Sequence, residues 1–219
     1  RDTAPAVAWA TIEASKSHGK DAILGFFPAD HWIGDCKAFE KTLQAATELA
    51  VKEASIVTLG IQPSHPSSGY GYIEQGEIKG NFAGLPVYQV NRFTEKPDRE
   101  TAESFIETGL FSWNSGMFIF QASVVLQELE TYAPQILHPL IEQGKAAYAN
   151  LEKKSIDYAL MEKTKLAYVL PANFGWDDLG DWNAIERLMK GNEDNVDLAN
   201  HLGKDTKGAI VYASDDEEV

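Results

Sequence analysis

Two aspartates far apart in the chain, Asp30 and Asp178, each sit where a strand turns into a loop. Asp30 follows the apolar run 22–28 in Ile-Leu-Gly-Phe-Phe-Pro-Ala-Asp-His, and Asp178 lies in Phe-Gly-Trp-Asp-Asp-Leu-Gly-Asp-Trp after the run 166–170. Carboxylates at the carboxyl ends of strands in an open α/β sheet can face one crevice and share a hard cation. Such a site suits the movement of phosphates. Each stretch taken alone also reads as an Asp-rich turn whose side chain caps backbone N–H groups. His31 is open to three readings, a base, a zinc ligand or a hydrogen-bonded structural residue.

Arg92-Phe93-Thr94-Glu95-Lys96-Pro97 brings a carboxylate and an ammonium together. On an extended strand neighbouring side chains point to opposite faces, so only a bend at Pro97 turns Glu95 and Lys96 toward one ligand. A carboxylate accepts from sugar hydroxyls and an ammonium holds a phosphate as a point charge, which suits a sugar phosphate. The alternative is a solvated strand edge. Gly69-Tyr70-Gly71-Tyr72-Ile73 and Trp113-Asn114-Ser115-Gly116-Met117 pair small residues with aromatics. Glycine admits a ligand close to the backbone, and Asn114 offers a donor and an acceptor to a hydroxyl. A β-bulge or tight turn with its aromatics in the core is the competing reading of each.

The elements that must position these residues follow from periodicity. Residues 3–16 are helical, with Asp2 or Thr3 as N-cap and Pro5 in the first turn. Residues 22–28 and 56–59 are short apolar runs that read as buried strands, with helical spacing of Phe39, Leu43, Ala46 and Ala50 between them. This β-α-β alternation predicts a parallel sheet covered on both faces. Residues 62–84, rich in Pro, Ser, Gly and Tyr, read as loops and an antiparallel excursion. Beyond them the pattern predicts a strand at 87–93, a helix at 100–108 closed by Gly109, and a buried strand at 117–120. Helices follow at 123–130, 134–150 and 155–163, then a strand at 166–170. Asp181 suits the N-cap of a helix ending at Met189, and 207–213 reads as the first strand of something further on. No internal repeat is visible.

At 219 residues and 44% hydrophobic, the chain has material for one sizeable core. No apolar run approaches the roughly 20 residues that cross a bilayer, and no signal-peptide pattern opens the chain, so a soluble, cytoplasmic protein is expected. The single Cys36 excludes an internal disulfide and reads as a buried, inert thiol. A net charge of −14 argues against general nucleic-acid binding. Phosphates must then be held by a few local Lys or Arg residues, backbone N–H groups or a bridging cation. Whether the chain forms a homo-oligomer is left open.

The ordered set Phe-Pro-Ala-Asp-His, Gly-Tyr-Gly-Tyr-Ile, Phe-Thr-Glu-Lys-Pro, Asn-Ser-Gly-Met-Phe and Gly-Trp-Asp-Asp-Leu-Gly-Asp-Trp, with the opening Arg1-Asp2-Thr3-Ala4-Pro5-Ala6, spans nearly the whole chain. It closely resembles the bacterial mannose-1-phosphate guanylyltransferases, which make GDP-mannose from GTP and mannose 1-phosphate. The resemblance implies a doubly wound, mostly parallel mixed sheet of the nucleotidyltransferase type. It also implies that Asp30 and Asp178 hold Mg²⁺, with Asp30 also at the nucleotide, and that Asp30, Asp178 and Lys96 serve catalysis. Glu95 and Asn114 would touch the mannose, Lys96 its phosphate, and Gly71 would lie against the sugar. Arg1, Thr3 and Ala6 would border the guanine. Asp177 is set aside as a ligand because the wider family pattern is Trp-x-Asp-x-Gly.

The resemblance further implies a preceding strand and glycine-rich loop that cradle the triphosphate; Gly69, Gly71 and Gly76 fit neither common phosphate-loop spacing. The chain is therefore expected to be an interior piece of a longer protein. Residues 1–191 would form the catalytic domain, and 192–219 a linker and the start of a β-helix-like domain. Another sugar-1-phosphate nucleotidyltransferase, or a non-catalytic sugar-nucleotide-binding module that has lost its phosphate loop, is the alternative.

Overall fold

A computed structural model describes residues 1–180, 182–189, 195–199 and 204–213. In chain order its elements begin with α1 (Thr3–His18), β1 (Ile23–Phe26), β2 (Trp32–Ile33), α2 (Cys36–Glu53), β3 (Ile56–Ile61), β4 (Tyr72–Phe82) and β5 (Leu85–Thr94). There follow α3 (Arg99–Thr108), β6 (Phe111–Gln121), α4 (Ala122–Tyr132), α5 (Pro134–Gln143), a 3₁₀ stretch (Gly144–Asn150) and a π-helical turn (Asp157–Met161). The last are β7 (Ala167–Ala172), β8 (Trp176–Asp177), α6 (Trp182–Met189), β9 (Val196–Leu198) and β10 (Ile210–Tyr212). The chain divides into two compact units, one of Arg1–Ala29 with Gly34–Phe174 and one of Asp30–Ile33 with Gly175–Val219.

The larger unit is built on a six-stranded sheet of order β1-β6-β3-β7-β5-β4. β6 is antiparallel to both β1 and β3, β7 is parallel to β3, and β5 is antiparallel to both β7 and β4. Four of the six strands, β1, β3, β7 and β4, thus run one way. The parallel character of the sheet lies in strand direction; β3 and β7 alone are parallel neighbours. The β-α-β pattern of residues 22–59 is present, but β6 lies between its two strands. Alternation and apolar content identify a strand without naming its partner, and β6 is long enough to serve β1, β3 and β4 in turn.

Helices cover both faces, as the doubly wound class requires. On one face α1, α4 and α5 pack together over Ile56, Phe118, Phe120 and Val169. The alternate strand positions Val57, Met117, Ile119 and Leu170 are also buried, and α2 packs against β3, β6 and β7. Asp2 caps α1, accepting from the Thr3 N–H. Gly109, left-handed at φ 69°, closes α3. The antiparallel excursion is the β4–β5 hairpin, whose Phe82 and Leu85 pair across Ala83 and Gly84, both at positive φ.

Three expectations change. The helix predicted over 134–150 stops at Gln143, because Gly144 takes φ 61° and the chain continues as a 3₁₀ stretch. The helix predicted at 155–163 is a single π turn. Cys36 is exposed, since Asp35 caps α2 and leaves Cys36 in its first turn, ahead of the buried stripe that starts at Thr42.

In the smaller unit β2 pairs antiparallel with β8, Trp32 opposite Asp177 and Ile33 opposite Trp176. The strand expected near 207–213 forms as β10, parallel to β9. Asp181, the expected cap of α6, lies outside the described residues. Among the described residues no helix is long and apolar enough to cross a membrane.

Candidate active site

β5 ends at Thr94, and the next two residues are the pair whose geometry matters. Lys96 takes φ 46°, a left-handed conformation that a residue before proline normally avoids. The bend therefore falls at Lys96 and not at the expected Pro97. It brings Lys96 Nζ to 3.5 Å from Glu95 Oε1, and both residues line one pocket. A backbone conformation of this kind costs on the order of 1 kcal/mol or more and tends to persist where a site needs it.

The pocket has a volume of about 700 Å³, and its walls include Asp2, Thr3, Glu95, Lys96, Ser155 and Asp157. Lys153, Lys154 and Lys163 join Lys96 around it. In a chain of net charge −14 this is the local cation supply that phosphate binding requires. Glu95 is largely shielded while Lys96 is mostly exposed, so the carboxylate forms floor and the ammonium rim.

Behind that floor stand Gly71 and Asn114. A Cβ on Gly71 would meet Glu95 Oε2 at 2.6 Å, so the absence of a side chain leaves the carboxylate its place. Asn114 Oδ1 accepts from Thr58 Oγ1 at 3.2 Å and from the Gly116 N–H at 3.1 Å, and its Nδ2 donates to Asp157 Oδ1 at 3.2 Å. A bulge aims it there. Between Thr58 and Gly60, β3 advances two residues while β6 runs from Phe118 to Asn114, with Gly116 at φ 70°. The bulge-and-core reading of Trp-Asn-Ser-Gly-Met thus holds, since Trp113 is core and packs against Tyr70 and His65.

Asp157, like Lys153, Lys154 and Lys163, is a pocket residue that sequence reading missed. It opens the π turn, and burial, reinforced by the neighbouring Glu95 charge, pushes its carboxyl up to about 6. No spacing rule marks it; Ser155-Ile156-Asp157-Tyr158 reads as the start of an ordinary helix.

Of the three residues expected at the guanine, Thr3 lines the pocket, and its Oγ1 accepts from the Ile156 N–H at 2.8 Å. The Arg1 guanidinium donates to the Ala149 carbonyl. Ala6 is exposed on α1 and is not among the pocket residues.

Asp30 and Asp178 both belong to the smaller unit, together with His31. The Trp176 indole N–H donates to His31 Nδ1 at 3.0 Å, so that nitrogen is an acceptor and the ring is oriented by structure. Burial lowers the His31 pKa, and the charges of Asp30, Asp178 and Asp177 work against that shift. Asp177 is buried with Oδ1 accepting from the Leu179 N–H, while the half-buried Asp178 accepts from the Gly180 N–H at 3.1 Å. No group of three or more His, Cys, Asp or Glu side chains able to hold a metal occurs among the described residues. Two carboxylates with the remaining positions left to water and phosphate is a donor set that fits Mg²⁺ and not a structural zinc site.

Known proteins are similar to this chain over most of its length. The Nucleotidyl transferase family profile matches residues 1–195. A mannose-1-phosphate guanylyltransferase of Sinorhizobium fredii (strain NBRC 101917 / NGR234) is 39% identical over 227 residues, covering 97% of this chain and 43% of that protein. One of Escherichia coli (strain K12) is 36% identical over 231 residues, covering 97% of this chain and 48% of that protein. The crystal structure of a mannose-1-phosphate geranyltransferase from Thermus thermophilus superposes with a TM-score of 0.87 at 35% identity, over 97% of this chain and 63% of that one. The chain spans about half the length of the curated relatives it matches. With the family profile running from its first residue to residue 195 over a doubly wound fold, this chain belongs to the nucleotidyl transferase family.

Proposed function

We propose that the protein carrying this chain transfers a guanylyl group from GTP to mannose 1-phosphate, releasing pyrophosphate and giving GDP-mannose. The observation that carries the reading is the turn at Lys96, which sets a carboxylate and an ammonium on one lysine-rimmed pocket. The names of the relatives from Sinorhizobium fredii and Escherichia coli support the same substrates.

A phosphate oxygen of the sugar phosphate attacks the α-phosphorus of GTP in line, and the bond from that phosphorus to the bridging oxygen breaks. The nucleophile is already an anion at neutral pH, so no side chain has to remove a proton. What remains is to hold two polyanions in alignment, worth on the order of 7 to 11 kcal/mol for well-oriented reactants. Lys96 holds the sugar's phosphate, Glu95 accepts from its hydroxyls, Asn114 braces the pocket floor, and Gly71 keeps the space open. Arg1, Thr3 and Ala6 border the guanine. Asp30 and Asp178 are the residues that would hold Mg²⁺, which when bound neutralises charge on the phosphates.

Residues 192–219 are proposed as a linker and the start of a β-helix-like domain, supported by the parallel pairing of β9 and β10. A cytoplasmic location goes with GTP as donor. The test is pyrophosphate release across GTP, ATP, UTP and dTTP against mannose 1-phosphate and glucose 1-phosphate. GTP with mannose 1-phosphate should give the highest kcat/KM. A preference for another pair contradicts the assignment, and GDP-mannose binding without turnover by any pair makes the protein a binding module.

A further inference from the structure

Asp157 has no role in the function just proposed, yet its position is costly. It is largely buried at the head of a π turn whose Ala159, Leu160 and Met161 are core, and it faces a second carboxylate, Glu95. Burying like charges together gives nothing back to the fold, and π turns are frequent at functional sites. Bracing Asn114 does not explain the arrangement. Thr58 and Gly116 already fix the Asn114 amide through Oδ1, so its orientation does not depend on Asp157.

We propose that Asp157 is a sugar-binding residue of this pocket, its carboxylate accepting from a hydroxyl of the sugar 1-phosphate beside Glu95. The inference rests on the sugar-phosphate reading above and deepens it. The residue lines the pocket, and the interactions at its carboxylate come from Asn114 Nδ2, the Ser155 hydroxyl and its own backbone N–H. An ionised carboxylate has about four acceptor positions, so one more donor is accommodated. A hydroxyl donating to a carboxylate forms a short bond roughly twice as strong as one between neutral groups. Glu95 and Asp157 together would read two hydroxyls, and Lys96, Lys153 and Lys154 line the same pocket.

The test is calorimetric titration of the full chain with mannose 1-phosphate and with analogues lacking one hydroxyl each, using wild type and Asp157→Asn. Asparagine keeps an oxygen that can accept from Asn114 and removes the charge. In wild type, one deoxy analogue should bind about tenfold or more weakly than the parent. Asp157→Asn should lose about as much affinity for the parent, and the same deoxy change should then cost less than about twofold. Parent affinity unchanged in the variant, or every deletion costing the variant what it costs wild type, overturns the proposal. Should the variant not fold, the wild-type series decides: since Glu95 and Asp157 would each read one hydroxyl, fewer than two deletions costing more than about twofold also overturns it. If wild type binds glucose 1-phosphate and not mannose 1-phosphate, the mannose assignment fails, and the same cycle on deoxyglucose phosphates judges Asp157. Wild type binding no sugar phosphate contradicts both.

Discussion

A Cβ at Gly71 would stand 2.6 Å from Glu95 Oε2 and 3.4 Å from the Cβ of Asn114, so a residue with no side chain makes room for a pocket carboxylate. The Gly71 backbone is not in the left-handed region, so alanine is tolerated by the main chain and the displacement falls on the flexible end of Glu95. Gly71→Ala should raise the KM for mannose 1-phosphate about tenfold, with the melting temperature shifted by only a few degrees. An unchanged KM would show that Glu95 is not placed by this contact.

Asp177 and Asp178 are neighbours with different work. Asp178→Asn keeps an oxygen to accept from Gly180, so folding should be little changed while turnover falls on the order of 100-fold. Asp177→Ala removes a buried side chain and its bond to the N–H of the exposed Leu179, which water can replace, and should cost about 1 kcal/mol of stability. Steady-state kinetics and urea melts on both variants check the division, and the reverse pattern contradicts it.

The raised carboxyl of Asp157 makes a prediction about pH. Its folded value of about 6 lies above the ordinary 3.8, so between these pH values the folded state holds more protons than the unfolded one. Stability contributed by this residue is therefore greatest below about pH 4 and declines as pH rises through 6, by on the order of 3 kcal/mol. Asp157→Asn should be more stable than wild type at pH 7 to 8 and should lose that part of the slope. Parallel stability curves from pH 4 to 8 for the two proteins would count against the burial of this charge.

Cys36, the one thiol in the chain, is exposed in the first turn of α2. A thiol reagent such as Ellman's should titrate one equivalent in native protein without denaturant. Reaction only after unfolding would mean that the turn is covered.

Much of this was legible from residue types. Asp2 and Pro5 mark the start of α1, Gly109 the end of α3, and the Glu-Lys-Pro stretch points to Glu95 and Lys96, which share one pocket. What stayed hidden has physical reasons. Ala83-Gly84 is a weak hairpin signal beside Asn-Gly, so the length of β4 was lost in a loop. The insertion of β6 between β1 and β3 depends on pairing across more than 50 residues, about which a local period is silent. A left-handed lysine before proline runs against both residues' preferences, and Asp157 lies inside an apparently helical run. Both depart from local preference in the pocket itself, where function can override it.

The turn at Lys96 is proposed to build a seat for a phosphorylated sugar, and direct titration of mannose 1-phosphate into wild type and Lys96→Ala at one pH and ionic strength tests this. Wild type should bind saturably with one site per chain, and the variant should bind at least about tenfold more weakly while melting at nearly the same temperature. Equal affinity in the two proteins, or no saturable binding in wild type, would contradict it.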